Sequence, residues 1–105
     1  MKRLLEKYDN KFLGKFLSSD EILLVKNYRT AAGFWAAKEA ASKALGCGIG
    51  AECSFYDIVI TKTIKGAPLL ELSSKVKEQF KINASALSIS HDGDYAIAVV
   101  THEKS

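Results

Sequence analysis

FWAAKEAASK, residues 34–43, is an alanine-rich run that contains neither glycine nor proline. Such a run strongly favours a helix, because alanine loses the least conformational freedom there. On that helix Glu39 and Lys43 are four residues apart and share a face, one turn beyond Trp35. We expect Trp35 in the core and Lys38 exposed to solvent. A carboxylate can hold a hard cation and a neighbouring ammonium can hold a phosphate oxygen, which is half of a phosphoryl-transfer site.

Length and composition bound the class of protein. The chain has 105 residues, 48% of them hydrophobic and 26% charged, which predicts a single globular domain over 1–105. A core this small leaves much surface uncovered, so self-association would add stability and supply walls for a site. No apolar run reaches membrane-spanning length, and the N-terminus is charged and unlike a signal peptide. Two cysteines without a secretory signal indicate free thiols in the cytoplasm.

Positive charge is concentrated at the N-terminus. The formal net charge is +3, and residues 1–15 carry five Lys or Arg against two acids, so the whole excess lies there. Most basic runs are solvated helix faces, and the alternative is a docking surface for an acidic partner. No basic stripe interleaved with aromatic residues is present, so a nucleic-acid-binding domain is the weakest of the function classes.

Hydrophobic periodicity predicts helices in the first half of the chain. Helical spacing of apolar residues covers 2–17, and Ser18 and Glu21 then have the spacing of a capping box. A short helix over 21–26 follows. Thr30 is a candidate cap for the main helix, which Gly46 ends.

The sequence pattern of the second half of the chain predicts strands and one more helix. Strands are predicted over 55–62 and 69–72, a short helix over 73–80, and a hairpin from 86–90 to 95–101. The Asp92-Gly93 pair between the last two strands is typical of a tight turn. Helices followed by strands and one further helix indicate an α+β domain.

Three features are candidates for a phosphate site: Glu39 with Lys43, the glycine-rich turn 46–50, and Ser90 with His91 at a strand end. Glycine-rich backbone offers N–H donors, and a histidine can bind a phosphate or place a water. Each feature also has an ordinary structural explanation. An acid and a lysine at this spacing more often form a surface ion pair, a glycine here is usually a helix cap, and a single histidine is usually a turn residue.

The sequence of residues 33–46, GFWAAKEAASKALG, resembles the signature helix of the holo-[acyl-carrier-protein] synthases, the small bacterial 4′-phosphopantetheinyl transferases. The family pattern is Lys-Glu-Ala followed by a second lysine and a glycine-rich turn. The resemblance continues through GIG at 48–50, SFYDI at 54–58, GAP at 66–68 and SISHD at 88–92, and FLSSDE at 16–21 also fits. It therefore covers nearly the whole chain with motifs in a consistent order.

This resemblance implies a reaction and a fold. The reaction is transfer of the 4′-phosphopantetheine arm of coenzyme A to a serine of apo acyl carrier protein, with release of adenosine 3′,5′-bisphosphate. The enzyme would serve fatty acid biosynthesis, depend on Mg²⁺ and form a homotrimer with sites between subunits. The implied fold packs N-terminal helices on a small, mostly antiparallel sheet.

The resemblance also implies roles for individual residues. By similarity, the Mg²⁺ ligand is Glu39, the pyrophosphate contact is Lys43, the phosphate-binding residues are Ser90 and His91, and the adenine pocket contains Pro68. Lys43 would stabilise charge or help to take up the serine proton. Carrier proteins are acidic, and the basic residues available to dock one are Lys2, Arg3, Lys7 and Lys11.

The sequence departs from the family pattern at its start. Family members begin with a short strand that carries a Gly-x-Asp motif, and the aspartate of that motif is a second Mg²⁺ ligand. Here Met1 falls about where the first helix of the family starts, and Asp9 and Asp20 lie in the wrong context to replace the aspartate. A misassigned start codon, a truncated sequence and a natural variant are the open explanations, and the sequence as it stands predicts weakened catalysis.

A second departure is Phe34, which stands where many family members have arginine. One phosphate contact is thereby missing, and Lys26 or Arg29 could compensate for it. The missing aspartate keeps a second function open beside the enzyme. That alternative is a catalytically impaired module of the same fold that binds coenzyme A or carrier protein without transfer.

Overall fold

A computed structural model describes residues 13–93 and 95–104 of the chain. In chain order the elements are helix α1 (Ser19–Ile22), helix α2 (Tyr28–Ala44), a 3₁₀ turn (Phe55–Asp57), strands β1 (Ile58–Lys62) and β2 (Pro68–Leu72), helix α3 (Ser74–Phe80), and strands β3 (Ile82–Asp92) and β4 (Tyr95–Lys104). The predicted α+β class is confirmed. Most of the helix predicted over 2–17 lies outside the described residues. No helix among the described residues is long and apolar enough to cross a membrane.

Local sequence sets the ends of the helices. Ser18 caps α1 by accepting a hydrogen bond from the Glu21 N–H, and the Glu21 carboxylate accepts one from the Ser18 N–H, which confirms the predicted capping box. Asn27, and not Thr30, caps α2, because its side chain accepts the Thr30 N–H. Gly46 follows the end of α2 with a φ of 88°, a conformation that glycine adopts without strain.

The strands form two antiparallel hairpins, β1–β2 and β3–β4, and β2 packs beside β3. The register pairs Lys62 with Pro68 at the end of the first hairpin. In the second hairpin Asp92 pairs with Tyr95, which confirms the turn predicted from the Asp-Gly pair. Both strands of this hairpin are longer than the sequence pattern suggested.

Asp57 closes the 3₁₀ turn that replaces the first part of the strand predicted over 55–62. Its Oδ2 accepts the Ser54 N–H at 2.9 Å, and its Oδ1 accepts the Ser73 hydroxyl at 2.9 Å. Burial acts to raise the pKa of Asp57, but these hydrogen bonds and the nearby charge of Lys75 outweigh burial and leave the pKa below its ordinary value. The regular strand therefore begins only at Ile58.

Two buried clusters join α2 to the hairpins. The first cluster consists of Leu13, Phe16, Leu17, Ala31, Phe34, Ala37 and Ile60. The second consists of Ala41, Cys53, Ile58, Leu70, Leu72, Val76 and Ile82. The buried face of α2 is thus largely alanine, which lets the strands approach the helix closely.

His102 adds a polar connection between β4 and α2. Its Nε2 lies 3.0 Å from the Ala41 carbonyl, and its Nδ1 lies 2.7 Å from the Ser85 hydroxyl. Because a carbonyl can only accept, Nε2 carries the proton and donates it to Ala41, while Nδ1 accepts from Ser85 in the neutral ring. The bond fixes the C-terminal half of α2 against the sheet.

Candidate active site

A pocket of about 160 Å³ lies between the N-terminal half of α2, the end of the β1–β2 hairpin and strand β3. Its lining residues are Thr30, Gly33, Phe34, Lys62, Gly66, Pro68, Ile89 and His91. Aromatic and aliphatic walls suit a flat ring, whereas an ammonium, an imidazole and a hydroxyl are groups that bind phosphate. The pocket therefore suits a ligand with an aromatic part and an anionic part.

Gly33 allows β3 to approach α2 at this pocket. A Cβ atom at this position would lie 3.1 Å from Ile89 Cγ2 and 3.4 Å from His91 Cε1. The first distance is shorter than the optimal separation of two carbon atoms, about 3.5–4.0 Å, so a side chain here would crowd Ile89. The His91 ring lies beside the helix at this glycine.

Lys62 provides a positive charge in the pocket. Its Nζ lies 6.0 Å from the centroid of the Phe34 ring, at the limit of a cation–π contact. Lys62 ends β1, and its register partner Pro68 begins β2, so both side chains belong to the same end of the hairpin. The sequence carried no signal for this lysine, because its place depends on strand register. Lys26 and Arg29, the residues expected to compensate for Phe34, are exposed and do not line the pocket.

Glu39 and Lys43 lie on α2 beyond the pocket. Helix geometry places Glu39 about 9 Å and Lys43 about 15 Å along the axis from Gly33. Glu39 is half-buried and Lys43 is exposed. Neither takes part in the ion pairs found among the described residues. The surface ion pair that was the ordinary alternative for these two residues is therefore not formed.

Ser90 and His91 face different environments. They are neighbours on β3, so their side chains point to opposite faces of the hairpin. His91 lines the pocket with Pro68, whereas Ser90 is exposed and does not line it. The register partner of Ser90 is Ile97 on β4, which is also exposed. The structure therefore joins Pro68 and His91 in one place and leaves Ser90 outside it.

Lys38 and Glu21 form a buried ion pair one residue before Glu39. Their exposed fractions are 0% and 1%, and Nζ lies 2.8 Å from Oε1. The ammonium also donates to the carbonyls of Phe16 and Phe55, each at 2.9 Å. All three ammonium N–H groups are thus satisfied. Burial lowers the pKa of Lys38, and the neighbouring carboxylate acts in the opposite direction.

The burial of Trp35 and Lys38 is the reverse of what the sequence predicted. The expectation of an exposed Lys38 is wrong, and so is that of a buried Trp35, which is 38% exposed. The Trp35 ring instead packs on one side only, with centroid distances of 5.1 Å to Phe16 and 5.2 Å to Phe55. The partners of both residues are distant in the sequence, so helical spacing alone could not show which of the two faces inward.

Comparison with known proteins relates the whole chain to one family. The sequence pattern of the 4′-phosphopantetheinyl transferase superfamily matches residues 1–100. The chain belongs to this superfamily. The holo-[acyl-carrier-protein] synthase of Sulfurimonas denitrificans is 61% identical over 103 residues, which are 98% of this chain and 85% of that relative.

Solved structures of superfamily members agree with the fold. The crystal structure of Helicobacter pylori holo-[acyl-carrier-protein] synthase in complex with coenzyme A is 48% identical, has a TM-score of 0.90, and the match covers 96% of this chain and 89% of that one. The Bacillus anthracis synthase in complex with CoA (3′,5′-ADP) is 38% identical with a TM-score of 0.78, over 98% of this chain and 89% of that one. The family and the phosphopantetheinyl transferase-like fold inferred from the sequence motifs are therefore confirmed.

Glu39 is the carboxylate for which the sequence predicts a bound metal ion. The described part of the chain contains no cluster of three or more His, Cys, Asp or Glu residues that could do so alone. Mg²⁺, however, is usually bound by one or two carboxylates together with substrate phosphates and waters. Glu39 is half-buried and takes part in none of the described ion pairs. Its carboxylate therefore fits Mg²⁺ when a phosphate ligand binds the same ion.

Proposed function

We propose that this superfamily member is a holo-[acyl-carrier-protein] synthase, which transfers the 4′-phosphopantetheine arm of coenzyme A to a serine of apo acyl carrier protein and releases adenosine 3′,5′-bisphosphate. The observation that carries the proposal is the identity of 61% over 98% of the chain to a protein of that name. A module that binds without transfer is not favoured, because the most similar relatives compared bear the name of the enzyme.

We assign the pocket to the nucleotide end of coenzyme A. Pro68 would contact the adenine ring, and His91 with Lys62 would bind a phosphate by charge-assisted hydrogen bonds. The composition of the lining supports this assignment. Ser90 is exposed on the other face of the hairpin, so its proposed contact with coenzyme A would involve a part of the ligand outside this pocket.

Glu39 and Lys43 are assigned to the pyrophosphate end. Glu39 would hold the Mg²⁺, which when bound neutralises charge on the pyrophosphate. The carrier serine oxygen forms a bond to the β-phosphorus. The bond from that phosphorus to the oxygen shared with the α-phosphate breaks, and its electron pair leaves with the bisphosphate. Lys43 stabilises the charge on the pyrophosphate or helps to take up the serine proton.

The proposed partners are an acidic carrier protein and further copies of the chain. Lys2, Arg3, Lys7 and Lys11, the docking candidates, lie outside the described residues, and the positive charge of the N-terminal segment supports their role. A homotrimer is supported by the uncovered face of the β3–β4 hairpin. That face exposes the large apolar side chains of Tyr95, Ile97 and Val99. The two cysteines form no disulfide, in keeping with a cytoplasmic location.

The test is the intact mass of apo acyl carrier protein after incubation with this chain, coenzyme A and Mg²⁺. A gain of one phosphopantetheine group is expected, and Glu39→Ala and Lys43→Ala should each suppress it. The Helicobacter pylori synthase in a parallel reaction shows that the carrier protein can be modified. No gain with this chain beside a gain in the control would refute the proposed activity. Full activity of both variants would refute the assigned roles of Glu39 and Lys43.

A further inference from the structure

The Lys38 ammonium connects three segments of the chain to helix α2. It binds the Phe16 carbonyl ahead of α1, the Glu21 carboxylate on α1, and the Phe55 carbonyl in the 3₁₀ turn. Glu21 extends the connection to β1 by accepting the Ile60 N–H at 2.8 Å. The three bonds of the ammonium converge on Lys38, the residue that precedes Glu39 on the helix.

The same two carbonyls belong to residues that support Trp35. The rings of Phe16 and Phe55 pack against the Trp35 ring at 5.1 and 5.2 Å. Trp35 precedes Glu39 by four residues, so the two side chains share a face of α2. Lys38 thus holds the backbone of the two phenylalanines while their rings support the helix face that carries Glu39.

Stability alone is a poor explanation for this arrangement. A buried ion pair loses much hydration, and apolar residues of similar volume often stabilise a core as well or better. The pair instead fixes a position. The hydrogen bonds of the ammonium set where α2 lies relative to the segments around residues 16 and 55.

We propose that the Lys38–Glu21 pair is a positioning device for the metal-binding carboxylate of Glu39, acting by clamping Phe16 and Phe55 under the Trp35 side of α2. The inference rests on the proposed function, in which Glu39 holds the metal. Lys38 touches neither metal nor substrate in this role. Its loss removes the bonds that tie these two backbone segments to α2, the phenylalanine rings shift, and the carboxylate leaves the geometry that the metal requires.

The test measures metal affinity and not turnover. Mn²⁺ stands in for Mg²⁺, and electron paramagnetic resonance reports the free ion in mixtures of Mn²⁺, coenzyme A and protein. Three variants are compared with the wild type: Lys38→Met, the double variant Glu21→Gln/Lys38→Met, and Val76→Ala in the second core cluster as a control of similar destabilisation. Thermal melting by circular dichroism is recorded for each.

Lys38→Met should weaken Mn²⁺ binding by about tenfold or more, the effect usually seen when a supporting residue of a metal ligand is lost. Val76→Ala should melt earlier with unchanged affinity. The double variant removes the orphaned carboxylate, so it should melt later than Lys38→Met and still bind Mn²⁺ weakly. If Lys38→Met fails to fold, the double variant carries the test alone.

Two results would overturn the positioning role. One is wild-type affinity in the Lys38 variants. The other is an affinity that follows the melting temperature across all three variants, Val76→Ala included, which would make the pair a matter of stability only. The failure of the proposed function looks different: the wild-type chain itself would then bind no Mn²⁺ beyond that bound by coenzyme A, and would modify no carrier protein.

Discussion

Replacing Gly33 with alanine should separate helix propensity from the packing that builds the pocket. Alanine in place of a mid-helix glycine adds about 1 kcal/mol of stability by propensity alone. The new Cβ would lie 3.1 Å from Ile89 Cγ2, and overpacking of this kind typically costs about 1–3 kcal/mol. An overpacking cost of about 2 kcal/mol, less a propensity gain of about 1 kcal/mol, lowers the free energy of unfolding by about 1 kcal/mol. The new Cβ requires Ile89 to give way beside His91, so coenzyme A binding should weaken as well if His91 shifts with it.

Urea unfolding and calorimetric titration with coenzyme A measure the two effects of Gly33→Ala separately. Ile89→Ala removes the atom that the new Cβ would meet, so in that background Gly33→Ala should stabilise the chain by up to about 1 kcal/mol. The sign of the Gly33 effect should therefore change with residue 89. A stabilisation of about 1 kcal/mol in the wild-type background, with unchanged coenzyme A affinity, would refute the close approach of α2 and β3 as the reason for the glycine.

Three further predictions concern single side chains. Lys62→Ala should weaken coenzyme A binding by about ten- to a hundredfold, because it removes a hydrogen bond to a charged group. The control Lys65→Ala, in the adjoining exposed turn, should leave the affinity nearly unchanged. Equal losses for the two variants in calorimetric titration would exclude a specific contact of Lys62. The pKa of Asp57 is lowered by folding, so its contribution is present above the unfolded pKa, roughly 3.9, and is lost as pH falls through the lower folded value. Asp57→Asn removes the charge that strengthens the hydrogen bonds of this carboxylate, so it should cost about 1 kcal/mol at pH 7 and much less at pH 3. The same loss in urea unfolding at both pH values would contradict this. Burial raises the pKa of Cys53 to about 11, so iodoacetamide at pH 8 should label Cys47 alone until the chain unfolds, and mass spectrometry showing Cys53 labelled first would count against it.

Signals contained within a few residues could be predicted from the sequence. The Ser18–Glu21 capping box, the glycine after α2 and the turn of the β3–β4 hairpin all depend on partners no more than four positions away. Each is a local hydrogen-bond or backbone-conformation requirement, so the residue types alone specify it. The sequence predicts Thr30 as the cap of α2, whereas Asn27 fills that position, because both residue types can cap a helix.

Contacts between distant segments could not be predicted in this way. Lys38 can be buried because Glu21, Phe55 and Phe16 accept its hydrogen bonds. These acceptors lie 17 or 22 residues away in the sequence, so helical spacing could not indicate them. Trp35 is partly exposed because the core position on that turn of α2 is filled by Phe34. Periodicity identifies two candidate faces of a helix, but which of them turns inward depends on the elements that pack against it.

Helix α2 carries both ends of the proposed coenzyme A site. Gly33 lies at the pocket for the nucleotide, and Glu39 lies about 9 Å further along the same axis. A rigid helix keeps these two contacts at a fixed separation, so a ligand bound at both ends presents its β-phosphorus in one place, and the carrier serine has only to approach it. The helix motif predicts roles for Glu39 and Lys43, because their spacing lies within one element. The place of His91 depends on how β3 packs against α2 at Gly33, where a side chain would crowd Ile89, so the proposed nucleotide end of the site rests on this contact between two elements.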